Sequence, residues 1–140
     1  MNRIVLDTNI VISALFWKGQ QRVIFNAALN KQFIALTSEA LTAELKRVLA
    51  YPKFAQQIAN RALDIDRLVA DYLATAVAVL PAEIPPDVVR DPKDRDVLAC
   101  AVGGEADLIV SGDNDLLTLS QYQNIPILNT EQCLQRLSPE

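Results

Sequence analysis

The sequence predicts an α/β fold built on a doubly wound, mainly parallel sheet, and three observations support this prediction. Short apolar runs rich in β-branched residues recur along the chain, as at residues 4–6 and 108–110, and such runs are typical of buried parallel strands. Between them, apolar residues recur at the three- and four-residue spacing of helices. The turns between the two kinds of segment are short, so strand and helix alternate along the chain.

The first half of the chain is predicted to begin with two strands and three helices. The strands are residues 4–6 and 33–36, and the helices are residues 10–16, 23–30 and 39–50. Small polar residues at 7–9 and at Thr37-Ser38 favour helix caps at the starts of the helices that follow. Gly19 and Pro52 break the helical pattern and therefore mark helix ends.

Two further helical patterns, at residues 54–62 and 65–77, are predicted to form a helical arm inserted between strands. They are separated near Asp64, whose side chain is interpreted as a cap of the second helix. Residues 81–92 contain four of the seven prolines, so this segment is predicted to be an extended connector on the surface.

The last third of the chain returns to alternating helices and strands. A helix at residues 94–102 is expected to stop at Gly103-Gly104, and a strand at residues 108–110 follows it. A short helix then starts at Leu116, and residues 125–128 form the last predicted strand. Asn129-Thr130 is the expected cap of a final helix that runs through Leu137.

Length and composition limit the class of protein. The 140 residues predict a single domain that spans residues 1–140. No leader pattern opens the chain and no window reaches the roughly 18 apolar residues needed to cross a bilayer, so we expect no membrane partner and, in a bacterium, a cytoplasmic location. Cys100 and Cys133 lie in apolar helical patterns and are expected to be buried thiols rather than a disulfide or a metal pair.

Charge and histidine content restrict the possible chemistry. The chain has 13 Lys and Arg against 17 Asp and Glu, a net charge of −4, which argues against nucleic-acid binding through bulk charge alone. The chain has no histidine, which excludes the usual zinc sites, Ser-His-Asp triads and histidine general bases. Hydrolytic chemistry would therefore depend on acids together with a hard metal ion that prefers oxygen ligands.

Four acids occupy positions that separate structural roles explain poorly. Asp7 and Asp113 each follow a buried strand directly, and the carboxyl ends of parallel strands form the ligand-binding crevice of such sheets. Glu44 and Asp94 fall on the inward edges of apolar helix faces. The structural alternative for Asp7 and Asp94 is a helix cap. For Glu44 the alternative is a surface ion pair with Arg47.

Two neighbouring acids are interpreted differently. Asp96 points away from the face that carries Asp94, so it is expected to be a solvated acid in the first turn of its helix. Asp115 lies two residues after Asp113 and is interpreted as the cap of the short helix that follows.

Four carboxylates in one place imply a bound cation. Without one, their mutual repulsion would strongly raise the pKa of at least one of them. Ligands that are all oxygen suit Mg²⁺ or Mn²⁺, and both ions also bind substrate phosphates. The predicted reaction is hydrolysis of a phosphodiester, because such an ion activates water and offsets charge on the transition state and the leaving oxygen.

These residues and their order resemble the PIN-domain nucleases, within which the chain is most similar to toxins of toxin–antitoxin pairs related to the VapC-type ribonucleases. The resemblance covers essentially the whole chain and rests on four motifs in order. They are residues 5–10 (VLDTNI), 43–45 (AEL), 91–99 (DPKDRDVLA) and 108–117 (LIVSGDNDLL).

The resemblance implies roles for individual residues. It makes four acids the metal-binding and catalytic set, which in chain order comprises Asp7, Glu44, Asp94 and Asp113. Asn9 would hold the first acid in place, and Ser111 would be the small polar residue that lines the site. Relatives commonly carry a second Asp after the third acid, where this chain has Arg95, and this raises the question of whether Asp96 compensates.

The same resemblance implies a fold, an activity and partners. The fold would be a three-layer α/β/α sandwich, and the activity would be RNA cleavage that depends on Mg²⁺ or Mn²⁺. The partners would be an RNA substrate, a small inhibitory antitoxin and a second copy of the chain in a homodimer.

Substrate contacts would come from local positive charge. The candidates for positioning phosphate groups are Arg22, Lys46, Arg47, Lys53 and Arg95. The aromatic pair Phe16-Trp17 just beyond the first helix is expected to belong to the core, with a dimer or antitoxin contact as the alternative.

Three other functions compete with a nuclease. An aspartyl-nucleophile phosphatase would place its nucleophile at Asp7, but this chemistry needs an acid two residues later, where the chain has Asn9. A phosphoacceptor signalling domain would need a lysine after a later strand, and Ser111 and Asn129 occupy those positions. A catalytically silent binding module of the same fold is the third alternative, and the complete set of four acids argues against it.

Overall fold

The computed structural model describes residues 2–137, apart from the side chains of residues 61–64. Within that range it has six strands, which are β1 (Arg3–Leu6), β2 (Ile34–Thr37), β3 (Val77–Ala78), β4 (Leu108–Val110), β5 (Gln121–Tyr122) and β6 (Ile125–Leu128). The α-helices are α1 (Thr8–Phe16), α2 (Gln20–Leu29), α3 (Glu39–Leu49), α4 (Ala55–Thr75), α5 (Pro92–Gly103), α6 (Asn114–Leu119) and α7 (Thr130–Leu137). A short 3₁₀ helix at Pro52–Phe54 precedes α4. No helix in this part of the chain is both long and apolar enough to cross a membrane.

The strands form one mainly parallel sheet in the order β3-β2-β1-β4-β6-β5. β1 lies near the middle, where Val5 pairs with Leu36 on one side and with Ile109 on the other, both in parallel register. The only antiparallel pairing among the described strands joins β5 to β6. The predicted α/β fold with a mainly parallel sheet is therefore confirmed.

Alternate residues of β1 point to opposite faces of the sheet, and each face is covered by helices. Ile4 and Leu6 belong to one buried apolar cluster, which also takes side chains from α1, α2, α4 and α7. Val5 belongs to a second cluster, formed with α5 and α6. The molecule thus has three layers, with helices on both sides of the sheet. Cys100 and Cys133 are buried in these clusters as free thiols, as predicted.

The segment predicted as two helices is one continuous helix, so the expected break near residue 64 is wrong. α4 runs for 21 residues, and its apolar residues at Ile58, Ile65, Val69 and Tyr72 form one stripe against the first cluster. This stripe keeps its helical spacing on both sides of the predicted break. Packing of the stripe against the core therefore stabilises one continuous helix. The cap proposed for Asp64 concerns a side chain outside the described residues.

Two strands were not predicted from the sequence. β3 begins at Val77, where the helical pattern was expected to end, and β5 lies between the helix that starts at Leu116 and the last predicted strand. Each has two residues and lies at an edge of the sheet, so neither is long enough to show a strand period. Their pairing with the neighbouring strand, rather than their composition, makes them strands.

The connector between β3 and α5, residues 79–91, contains no helix or strand, as predicted. It folds back along α5. A Cβ on Gly103 would lie 2.0 Å from the carbonyl oxygen of Leu80, so only glycine permits this approach. At the other end, Nη1 of Arg95 donates to the carbonyl oxygens of Pro86 and Val89. The connector is therefore held against α5 at both ends.

Candidate metal centre

The centre lies where β1 and β4 end. Asp7 follows β1 directly, and its amide donates to the carbonyl oxygen of Val110, the last residue of β4, over 2.9 Å. The loop that follows β4 contains Ser111 and Asp113. Because the two strands are parallel neighbours, their carboxyl ends bring these residues to the same edge of the sheet.

A chain of hydrogen bonds fixes these side chains. The hydroxyl of Ser111, fully buried, donates to Oδ2 of Asp7 over 2.7 Å. The same hydroxyl oxygen accepts from the amide of Asp113 over 2.9 Å. The carboxylate of Asp113 in turn accepts from the amide of Asp115 over 2.8 Å. The loop is thus fastened to the first acid before any ligand is present.

Two helices contribute the other predicted acids. Glu44 of α3 and Asp94 of α5 are only 7% and 4% exposed, far less than is usual for charged residues. Oδ2 of Asp94 is buried and has no hydrogen-bond partner among the described residues. A buried carboxylate oxygen without a partner is costly, so it indicates a missing ligand.

The helix caps differ from those expected. The cap of α5 is Asp91, whose carboxylate accepts from the amide of Lys93 over 2.9 Å, so Asp94 lies inside the first turn. The cap of α6 is Asp113, and the interpretation of Asp115 as that cap is wrong. Asp113 immediately precedes α6 and has the extended backbone that a cap requires, whereas Asp115 is already the second residue of the helix.

All four predicted acids line one cavity of about 180 Å³. Its walls are formed by Asp7, Asn9, Ile12, Glu44, Val48, Tyr51, Lys53, Phe54, Asp91, Lys93, Asp94 and Asp113. Asp96 and Asp115 are not among these lining residues. Asp115 is nevertheless close, because one carboxylate oxygen each from Asp94, Asp113 and Asp115 lie within 4.8 Å of one another. Asp115 is exposed and also lies 3.7 Å from Arg90.

The acids raise one another's pKa. Burial, and after it the charges of Asp113 and Asp7, together raise the pKa of Asp94 to about 7. Burial also raises the pKa of Asp7, although its hydrogen bond from Ser111 opposes the shift. For Glu44, burial is again the main cause of a raised pKa, followed by the charge of Asp7. The charges of Lys93 and Arg47 lower the pKa of Glu44, but the nearby cations do not offset burial and the repulsion between the acids.

The residues present fit a hard divalent cation. Their ligand atoms are all carboxylate oxygens, which suits Mg²⁺ or Mn²⁺. A bound cation would explain two features at once. It would give the buried Oδ2 of Asp94 a partner, and its charge would lower the raised pKa values of the acids.

The basic candidates have different surroundings. Lys53 lines the cavity, and Lys93, which the sequence did not single out, lines it as well. Arg22 and Arg95 instead donate to backbone carbonyl oxygens, Arg22 at the end of α1 and Arg95 in the connector. Their guanidinium groups therefore have a structural role, and the prediction that they contact phosphate is not supported. Lys46 and Arg47 are exposed on α3.

The supporting residues and the aromatic pair are placed as follows. Asn9 is exposed and lines the cavity, and its backbone amide lowers the pKa of Asp7. Asp96 is half-buried rather than fully solvated, and burial raises its pKa although the charges of Arg95 and Arg47 oppose the shift. Phe16 lies in the core, as expected. Trp17 is 53% exposed, so the prediction that it belongs to the core is wrong.

Comparison with known proteins identifies the family. A family model described as a PIN domain matches residues 3–115, which include all four acids. The chain belongs to the PIN domain family. PIN domains are in general metal-dependent nucleases, and the acidic cluster of this PIN domain agrees with that chemistry.

A solved structure has a similar fold. The crystal structure of PAE2754 from Pyrobaculum aerophilum superposes with a TM-score of 0.58 over 98% of this PIN domain and 89% of that chain. The two sequences are 13% identical, so the likeness concerns the fold alone. No curated protein matches the chain significantly.

Proposed function

We propose that this PIN domain is a ribonuclease that hydrolyses phosphodiester bonds with Mg²⁺ or Mn²⁺ held by Asp7, Glu44, Asp94 and Asp113. The observation that carries the proposal is the buried Oδ2 of Asp94, which has no hydrogen-bond partner among the described residues and belongs to a cavity lined by all four acids. A structural role for Asp94 would have given this oxygen a hydrogen-bond donor.

The side chains have distinct parts in this proposal. Ser111 holds Asp7 through Oδ2, and the carboxylate of Asp7 lines the cavity in which the cation would bind. Asp113 is held by the amide of Asp115 in the same way. When bound, the cation supplies Lewis acidity and neutralises charge on the phosphate. Lys53 and Lys93, on the cavity wall, bind the phosphates on either side of the cleaved bond.

The phosphatase alternative is weaker for a geometric reason. An aspartyl nucleophile must present a free oxygen to phosphorus, whereas Asp7 is 6% exposed and one of its oxygens accepts from Ser111. The position two residues later, where a proton donor would lie, is Asn9, which has no acidic proton. A silent binding module of the same fold remains an outcome of the experiment below.

The finer aspects of function belong to the same proposal. We infer that the PIN domain acts as the toxin of a toxin–antitoxin pair in the bacterial cytoplasm, as a homodimer that a small antitoxin inhibits. The support is the family match together with the four motifs that resemble the VapC-type toxins. Induced expression in a bacterial host is expected to arrest growth, and Asp94→Asn is expected to remove the arrest. Sedimentation velocity of the purified protein tests the dimer.

The central experiment is cleavage of single-stranded and structured RNA, with DNA of the same sequences, in Mg²⁺, Mn²⁺ or EDTA. The variants are Asp7→Asn and Asp94→Asn, and the matched control is Asp66→Asn, which removes an exposed acid from α4. We expect cleavage of RNA only with metal. The cleavage rate of both site variants should fall at least about a hundredfold. Mutating a residue that only hydrogen-bonds to a metal ligand already lowers metal affinity or activity about 10–100-fold.

The outcomes separate the alternatives. Cleavage that persists in EDTA, or in either site variant, would mean that the four acids are not the active centre. DNA cleavage equal to RNA cleavage would leave a nuclease but remove the ribonuclease assignment. Folded protein that binds RNA and cleaves nothing in either metal would support the binding module.

A further inference from the structure

A second cavity of about 400 Å³ adjoins the acidic one. It is lined by Asn9, Ile12, Ser13, Trp17, Lys53, Phe54 and Gln57. Four of these residues also line the acidic cavity, so the two form one continuous groove. We call the part around Trp17 and Lys53 the aromatic subsite.

Trp17 is unusual in this groove. It directly follows α1 as the residue that caps the carboxyl end of the helix, and 53% of its surface is exposed. Its ring makes a T-shaped contact with Phe16, with 5.8 Å between the centroids, and Phe16 stacks on Phe54 at 4.7 Å. Trp17 is therefore supported from beneath by buried aromatic rings. A large apolar ring that is supported yet open to solvent is typical of a binding surface.

The charge beside Trp17 is positive, although the protein as a whole is acidic. Lys53 is exposed, with its Nζ 5.1 Å from the centre of the Phe54 ring, and it lines both cavities. Lys93 lies on the wall of the acidic cavity. A cation next to an exposed indole suits a ligand that combines a flat ring with a nearby anion.

We propose that the aromatic subsite is a base-binding site of this chain, in which an unpaired nucleobase of the substrate stacks on Trp17 while Lys53 binds the adjacent phosphate. The inference rests on the proposed ribonuclease function and assigns two binding residues outside the set of four acids. Asn9 and Trp17 lie eight residues apart on and just beyond α1, about 12 Å along the helix axis, a distance that a short single strand can span from subsite to acids. A base inside a duplex is stacked on its neighbours and cannot reach the indole.

The experiment uses the protein's own fluorescence, since Trp17 is the only tryptophan of the chain. A short single-stranded RNA and the same RNA annealed to its complement are titrated into the full chain in Ca²⁺, and a gel confirms that the RNA stays intact. Single-stranded RNA is expected to quench the indole emission to saturation, and the duplex is expected to leave it unchanged. Anisotropy of a labelled copy of the RNA gives the affinity independently.

Three variants test the contact itself. Trp17→Ala is expected to weaken binding of single-stranded RNA roughly tenfold, because stacking on an aromatic side chain contributes this much per base. Trp17→Phe keeps an aromatic face and should lose much less. Val23→Ala is the matched control, since Val23 is 55% exposed and lies on α2 outside the groove. Circular dichroism and thermal unfolding show whether each variant folds.

Several results would overturn the inference. Unchanged emission while RNA binds, equal quenching by the duplex, or equal affinity of Trp17→Ala would each do so. A loss of self-association in Trp17→Ala at unchanged RNA affinity would make this surface an interface between copies instead. Failure of the ribonuclease proposal looks different, because quenching by single-stranded RNA would then persist although no metal supports cleavage.

Discussion

Asp94 carries an unfavourable charge in the metal-free protein. Its pKa of about 7 in the fold lies above the ordinary value of 3.8, so the folded state favours the protonated form. Ionisation of Asp94 therefore costs stability as the pH rises from about 4 to 7, and the full cost applies above pH 7. The fold tolerates this cost at the point where the cation is proposed to bind.

The first prediction follows from that cost. In EDTA at pH 8, Asp94→Asn is expected to raise the free energy of unfolding by about 1–3 kcal/mol, because the variant removes a buried charge. The gain should largely disappear near pH 4, where Asp94 stays protonated in the folded state and is only about half ionised in the unfolded state. Urea unfolding at the two pH values measures it, with Asp66→Asn as the exposed control. An Asn variant less stable than wild type at pH 8 would contradict the prediction.

The second prediction concerns Ser111. Its hydroxyl lowers the pKa of Asp7 and accepts from the amide of Asp113, so Ser111→Ala should raise the pKa of Asp7 and loosen the loop. Cleavage requires ionised acids, so the acid limb of its pH profile is expected to move to higher pH. The free energy of unfolding should fall by about 1–3 kcal/mol, since the amide of Asp113 loses its acceptor.

The measurement is the cleavage rate from pH 5 to 9, with Ser120→Ala as a control, because Ser120 is exposed beyond α6. A profile that keeps its shape and position in Ser111→Ala would show that the hydroxyl does not act through Asp7.

At the scale of single residues, the sequence predicted the four acids and Lys53, but neither Lys93 nor the place of Trp17 in the groove. Asp7 and Asp113 follow apolar strands, and Glu44 lies at the edge of a regular apolar stripe of its helix. Each is therefore an acid that stands out against an apolar pattern in the sequence. Lys93 and Trp17 lie where charged or loop residues are ordinary, and no pattern marks them. Only the folded chain shows that they lie on the same groove.

Among the structural elements, the end of the connector around residues 86–89 depends on a single side chain of α5. Nη1 of Arg95 lies 3.1 Å from the carbonyl oxygen of Pro86 and 3.2 Å from that of Val89. The other end is held by a backbone hydrogen bond from Ala82 to Ala99, so the order of residues 86–89 rests largely on the guanidinium group of Arg95.

The third prediction is that Arg95→Ala loosens the connector without unfolding the protein. Amides of residues 87–90 are expected to exchange with solvent at least about tenfold faster, whereas those of β1 and β4 keep their protection. Hydrogen exchange followed by mass spectrometry measures this difference, with Arg136→Ala, an exposed residue of α7, as the control. Unchanged exchange in the connector would assign its order to other contacts.

The sequence predicted the strands whose own residues are strongly apolar. It did not predict the elements that form because of a contact with a neighbouring strand or with the core. β1, β4 and β6 are apolar enough to be read directly, and β6 was predicted with its observed bounds. β3 and β5 exist because a neighbouring strand pairs with them, and α4 is continuous because the core supports it. In each of these failures a tertiary contact overrides the local pattern.

For the molecule as a whole, acidity and metal binding are linked. The net charge is −4, and three carboxylates with raised pKa values share one cavity. A cation that binds only the folded state stabilises it, and protons compete with the cation for the same oxygens.

The fourth prediction is therefore a pH-dependent stabilisation by metal. Mg²⁺ or Mn²⁺ at about 100 times its dissociation constant should add about 2.7 kcal/mol to the free energy of unfolding at pH 8 and raise the melting temperature. The effect should be clearly smaller at pH 5.5, and EDTA should reverse it. Thermal unfolding measures the shift, and Asp94→Asn should abolish it. Equal shifts in Asp94→Asn and wild type would place the cation elsewhere.

The order of strands in the sheet also has a consequence for the newly made chain. β1 pairs with β4, and Asp7 accepts its hydrogen bond from Ser111, 104 residues further along the sequence. On the ribosome, the edge of β1 that pairs with β4 is therefore unpaired long after β1 itself is made. The acids cannot come together until β4 and the loop after it have emerged. A nascent chain that stops short of that loop carries three of the four acids but no assembled centre, so the cavity forms only when synthesis of the chain is nearly complete.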